Sequence, residues 1–74
     1  MKRHADFRRQ AAGHGRLTPR EAEVLGWIAH GKQNAEIAQL LLISPHTVRK
    51  HVENIFEKLD VRTRMAAVAA VNRV

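Results

Sequence analysis

The sequence predicts an all-α chain folded as one compact four-helix domain. Three observations lead there. Apolar residues recur at intervals of three and four in short segments, which is the spacing of a helix face and not of a strand. Two hydroxyl residues stand directly before prolines, at Thr18-Pro19 and Ser44-Pro45, and that pairing opens helices. No proline interrupts a periodic segment, and no strand-like alternation or internal repeat is present. With 74 residues the chain suffices for one domain with a small core and leaves little room for a deep substrate pocket.

The elements follow in order. Residues 1–16 are basic, poor in large apolar side chains and interrupted by Gly13 and Gly15, so they are expected to form a flexible arm or linker with Phe7 as its aromatic anchor. The domain proper is expected over residues 17–74. Thr18 and Glu21 are spaced for a capping box, with Pro19 at the first helical position, and Val24, Leu25 and Ile28 form the inward stripe of the first helix. Gly31 supplies the left-handed residue that ends it. Asn34 is the expected cap of a short second helix carrying Ile37, Ala38 and Leu41 inward. Ser44 caps a third, over about residues 45–59, with Val48, Val52, Ile55, Phe56 and Leu59 as its stripe. Asp60-Val61-Arg62 breaks the pattern, and Thr63 caps a last helix over Arg64–Arg73, with Ala67, Val68 and Val71 turned inward.

Charge narrows the function. Thirteen Lys and Arg against seven Asp and Glu give a net charge of +6, the electrostatic footprint of a nucleic-acid ligand, although an acidic protein or membrane partner has the same appeal. There are no cysteines, so disulfide and thiolate chemistry are absent and a reducing cytoplasm is permitted. No apolar run approaches the roughly 20 residues of a membrane span, and no secretory leader is visible at the N-terminus.

The most informative stretch is Asn34 to Leu59: a short helix, a turn of about three residues and a longer helix, the arrangement of a helix-turn-helix. In that motif the first helix braces the second, which enters a major groove about 12 Å wide. Ala38 suits the brace, because a larger side chain would push the helices apart. At about 100° per residue, an inward apolar stripe leaves His46, Lys50, Glu53, Asn54 and Glu57 facing out, with Arg49 and His51 on opposite flanks. The exposed N-terminal half thus offers Ser44, His46, Thr47, Arg49 and Lys50, together with free helix amides that suit a phosphate.

Read together, Leu17-Thr18-Pro19-Arg20-Glu21, Glu23-Val24-Leu25, Asn34-x-Glu36-Ile37-Ala38, Ile43-Ser44-x-x-Thr47-Val48-Arg49-x-His51, Asn54-Ile55-x-x-Lys58-Leu59-x-Val61, Arg62-Thr63-Arg64 and Ala67-Val68 resemble the LuxR-type (FixJ/NarL, GerE-like) DNA-binding domain of bacterial transcriptional regulators, over about residues 17–71. The resemblance implies a four-helix domain that binds double-stranded DNA as a homodimer and regulates transcription in the bacterial cytoplasm, at the nucleoid, with RNA polymerase as a further candidate partner and no cofactor. By position it implies base reading by Arg49, Lys50 and Glu53, and backbone contacts by Lys32, Asn34, Ser44, His46, Thr47, His51, Arg62 and Arg64. It assigns dimerisation to the outer face of the last helix, where Met65, Ala66, Ala69 and Arg73 stand.

Two positions depart from the family pattern. Many members carry glycine where Leu42 stands, and a leucine there is expected to plug the core. Glu53 is acidic at a base-reading position: it can accept from cytosine N4, repel phosphate, or pair with Lys50 or Arg49 and aim their side chains, and the aiming role is favoured.

Other readings compete. A promoter-reading domain like region 4 of a sigma factor uses a similar motif, and a basic protein-interaction module would share the charge. An enzyme is disfavoured: His4, His14, His30, His46 and His51 are scattered, His46 and His51 lie on different faces, and neither a metal site nor a phosphate loop nor a nucleophile motif is present. The chain reads equally as part of a larger regulator or as a stand-alone one.

Overall fold

The computed structural model describes residues 16–72. It is all-α over that range, with α1 at Pro19–Ala29, α2 at Asn34–Leu41, α3 at Pro45–Leu59 and α4 at Arg64–Asn72. The expected arm lies outside the described residues, apart from Arg16.

Each helix start has a visible cause. Thr18 is extended, its hydroxyl accepts the Glu21 amide at 3.1 Å, and the Glu21 carboxylate accepts the Thr18 amide at 2.9 Å. The capping box predicted for α1 is therefore formed. Ser44 accepts the Thr47 amide at 3.1 Å and opens α3 ahead of Pro45. Thr63 accepts the Ala66 amide at 3.0 Å and opens α4. At α2 the expectation is corrected: Gln33, not Asn34, holds the cap position, because Glu36 reaches back to the Gln33 amide at 2.7 Å. Asn34 becomes the first helical residue, and its side chain is left for a longer-range partner.

Three of the helices end in the same way. The residue after the last turn is left-handed, and the one beyond it closes a six-residue ring by donating its amide back across the turn. The pairs are Gly31 with Lys32 N–H to Trp27 C=O at 3.0 Å, Leu42 with Ile43 N–H to Ala38 C=O at 3.0 Å, and Asp60 with Val61 N–H to Phe56 C=O at 2.9 Å. Gly31 carries this conformation freely at φ 84°, whereas Leu42 at φ 59° and Asp60 at φ 57° carry it against the clash of their own Cβ. The expected plug is corrected here as well. Leu42 is 89% exposed, and Ile43 and Val61, the residues after the left-handed ones, pack against the core instead. Turning Ile43 inward forces Leu42 outward and left-handed.

The core is built around α3. Val48, Val52 and Ile55 face α1 and α2, which supply Val24, Leu25, Ile28, Ile37 and Ala38, and α4 closes the side with Ala67. Phe56, Leu59, Val68 and Val71 pack around that centre, as the stripes require. Val24, Ile37, Val48, Ile55 and Ala67 have no exposed surface, and each fully buried valine or isoleucine contributes about 1.5–3 kcal/mol by leaving water. Ala38 is buried where α2 meets α3, which fits the small brace residue anticipated there. This packing holds α3 rigidly with one long face outward.

Candidate nucleic-acid interface

The outward face of α3 begins at its cap. Ser44 Oγ lies 2.9 Å from Thr47 Oγ1 and also accepts the Thr47 amide. One hydroxyl proton joins the two oxygens, so one hydroxyl proton of the pair is left to donate outward. The cap and the first turn are thereby locked together. Past them, His46, Arg49, Lys50 and Glu53 are exposed, while Thr47 and His51 are half-buried.

Arg49 and Lys50 take part in no ion pair: the bridges among the described residues are Arg20–Glu23 at 3.3 Å and Lys58–Glu21 at 2.7 Å. Two cations at the end of long side chains, on a helix anchored by its opposite face, can reach an anion or a base edge. Glu53 pairs with neither of them, so the expected aiming contact is not formed. On an exposed helix face such a pair gains little in water and would restrain two flexible side chains. Glu53 therefore stands as an exposed acceptor.

The flanking candidates divide. Arg62 is exposed at the α3–α4 turn. Arg64 is half-buried, and its guanidinium donates to Asn34 Oδ1 at 2.9 Å and to the Lys32 carbonyl at 2.7 Å. Lys32 and Asn34 are half-buried at the start of α2, with the Asn34 oxygen occupied by Arg64. His51 is half-buried on the flank of α3. On α4, Met65 is 83% exposed, Ala69 is exposed and Ala66 is half-buried. Arg73 lies outside the described residues.

Sequence reading missed two links. One is Lys58, which donates to the buried Glu21 at 2.7 Å and to the Arg16 carbonyl at 2.9 Å, tying the end of α3 to the start of α1. The other is the Arg64 bridge. Both join residues some thirty or more positions apart, and a local pattern carries no signal for that. The nearest hint was a capping-box glutamate on the same helix face as core residues. At Glu21, burial pushes the carboxyl pKa up. Hydrogen bonds from Lys58 and the Thr18 amide, with the charges of Lys58 and His51, outweigh that and hold it below the ordinary glutamate value.

His30 is an internal fastener: its Nδ1 must donate to the Gly26 carbonyl at 2.8 Å, because a carbonyl can only accept, and its ring stands 6.1 Å from that of Trp27. Among the described residues no group of three or more His, Asp or Glu side chains is placed to hold a metal ion. No helix among them is long and apolar enough to cross a membrane.

Known proteins are similar to this chain in sequence. The chain is 46% identical over 63 residues to the transcriptional regulatory protein LiaR of Bacillus subtilis, covering 85% of this chain and 30% of LiaR. It is 50% identical over 54 residues to the HTH-type quorum sensing-dependent transcriptional regulator RpaR of Rhodopseudomonas palustris, covering 73% and 22%. It is 49% identical over 51 residues to the nitrate/nitrite response regulator protein NarP of Escherichia coli, covering 69% and 24%. The chain thus spans less than a third of the length of these relatives. Residues 15–71, the capped α1, the brace α2, the exposed α3 and α4 together, match the GerE family, and the chain belongs to this luxR family of bacterial regulatory proteins.

Proposed function

We propose that the chain binds double-stranded DNA sequence-specifically, with α3 in the major groove, and regulates bacterial transcription as a homodimer on a two-fold symmetric site. The observation that carries this reading is the outer face of α3. Arg49 and Lys50 are exposed and unpaired there, on a helix whose other face is locked into the core. Bidentate donation to guanine O6 and N7 is the usual chemistry of such side chains in the major groove. Glu53, paired with neither cation, is available to accept from cytosine N4.

The backbone contacts surround that face. The ammonium of Lys32, the carboxamide of Asn34, the free hydroxyl proton of the Ser44–Thr47 pair, His46, His51 and Arg62 fit phosphates on either side of the groove. Arg64 has guanidinium donors beyond the two in use, and its part is taken up below. The outer side of α4, with Met65 and Ala69 exposed and Ala66 half-buried, fits a second copy about a two-fold axis. Two α3 helices would then meet successive major grooves, about 34 Å apart or a multiple of it. The names of the relatives, all regulators, support a role in transcription.

Selection from a random duplex pool tests this, followed by anisotropy titration of the enriched duplex against random competitor at two salt concentrations. A two-fold symmetric site preferred by about a thousandfold or more is expected, with affinity falling steeply as salt rises. Salt-sensitive binding with no enriched sequence would reduce the reading to a non-specific DNA binder. No binding at low salt would overturn it in favour of an acidic protein partner.

A further inference from the structure

Arg64 is a basic residue beside a basic turn, and the plain expectation is that it touches a phosphate. Its geometry gives it another occupation. One guanidinium nitrogen donates to Asn34 Oδ1 at 2.9 Å, the other to the Lys32 carbonyl at 2.7 Å, and the side chain is half-buried between α4 and the α1–α2 turn. Its neighbour Arg62 is exposed and makes no such bridge. Two basic residues on one turn thus have different occupations.

We infer that Arg64 is a positioning residue for DNA binding: it acts through Asn34 and does not itself bind a phosphate. A carboxamide has one oxygen and one NH2 group. With the oxygen turned to the Arg64 cation, the amide orientation of Asn34 is set and its NH2 donor has no partner within the described residues, which suits a phosphate and not a cation. An unrestrained asparagine would present either end. The bond to the Lys32 carbonyl anchors the guanidinium that holds the Asn34 oxygen. Arg64 is also the first residue of α4, so the same guanidinium ties the start of α2 to the helix proposed to hold the dimer. A lysine could not serve as well, because a planar fork spans two acceptors where an ammonium is a single point.

The inference rests on the DNA reading above, and its test separates the two. The duplex enriched by the full chain is titrated over a range of salt with the wild-type chain, Arg64→Gln, Arg64→Lys, Asn34→Ala and the Arg64→Lys/Asn34→Ala double variant, after each is checked for a cooperative helical melt. Arg64→Lys and Asn34→Ala are each expected to weaken binding roughly 3- to 10-fold, the range for one lost hydrogen bond, with the double variant no weaker than Asn34→Ala. Arg64→Gln removes a charge yet leaves the salt slope unchanged, whereas loss of a direct phosphate contact lowers that slope by about one. A lowered slope, additive losses, or full binding by both Arg64 variants overturns the inference.

Should the Arg64 variants fail to fold, the wild-type chain still decides. On addition of the duplex the Asn34 side-chain NH2 resonances are expected to shift while those of the Arg64 guanidinium hold still, and the reverse pattern overturns the inference. A wild-type chain that binds no duplex sinks the DNA reading and this inference together. Wild-type binding with independent Arg64 and Asn34 effects sinks the inference alone.

Discussion

The Lys58 ammonium lies 2.7 Å from the carboxylate of Glu21, a residue only 4% exposed, and so ties the last turn of α3 to the first turn of α1. The same carboxylate closes the α1 capping box by accepting the Thr18 amide. One side chain therefore fixes both where α1 begins and how the far end of α3 sits against it.

That pair makes stability depend on acidity. Glu21 titrates below its ordinary value in the folded chain, so the folded state binds its proton more weakly than the unfolded chain does. The contribution is full above the unfolded value, about 4.3, and drains as pH falls through the lower folded value. Lys58→Met removes the largest of the opposing effects, so the Glu21 carboxyl is expected to titrate higher than in the wild-type chain. Carboxyl-detected NMR of Glu21 across the acid range checks the sign. An unchanged titration in Lys58→Met would show that the pair does not hold the carboxylate.

Backbone conformation predicts opposite signs for similar substitutions at helix ends and inside a helix. Gly31→Ala places a Cβ at φ 84° and is expected to cost about 1 kcal/mol. Gly26→Ala, inside α1 with nothing within 4 Å of the added carbon, should stabilise by about 0.5–1 kcal/mol. Leu42→Gly relieves a left-handed leucine that is 89% exposed and loses almost no packing, so a gain of about 0.5 kcal/mol is expected. Urea melts of the three variants give the comparison. A destabilised Leu42→Gly chain would mean that this side chain packs somewhere.

Much of this was legible from local pattern. The inward stripes, the caps at Thr18, Ser44 and Thr63, and the left-handed Gly31 each follow from residues three or four apart, the distance over which a helix speaks to itself. Leu42 and Asp60 were not legible, because neither residue type announces a left-handed turn. What places them is the demand of Ile43 and Val61 to reach the core. Asn34 was read as a cap since its side chain suits one, yet Glu36 favours Gln33 and Arg64 claims the asparagine. The exposed face of α3 was read from periodicity alone, while the partners of Arg64 and Lys58 come from chain folding and lie beyond any window.

Val52 is 8% exposed in the centre of the α3 stripe. Val52→Asp puts an unpaired carboxylate there, at a cost of several kcal/mol against a total stability of about the same size. Circular dichroism should show no cooperative melt, and a wild-type transition would refute the inward stripe.

Arg49→Ala and Lys50→Ala leave the core untouched and should fold normally. If each side chain reads a base, specific binding falls by about 1–3 kcal/mol while binding to random duplex changes far less. Equal losses on both duplexes, read by competition anisotropy, would reassign the residue to the phosphate backbone.

The central claim is that α3 reads base edges from the major groove. Base analogues in the enriched duplex address it most directly. Replacing guanine by 7-deazaguanine deletes the N7 acceptor in the major groove, and replacing it by inosine deletes the N2 amino group in the minor groove. Anisotropy should show a loss of about 1–3 kcal/mol with 7-deazaguanine at particular positions, no loss with inosine there, and no further loss when Arg49→Ala or Lys50→Ala has already removed the reader. A site indifferent to 7-deazaguanine but weakened by inosine would place recognition in the minor groove and contradict the role assigned to α3.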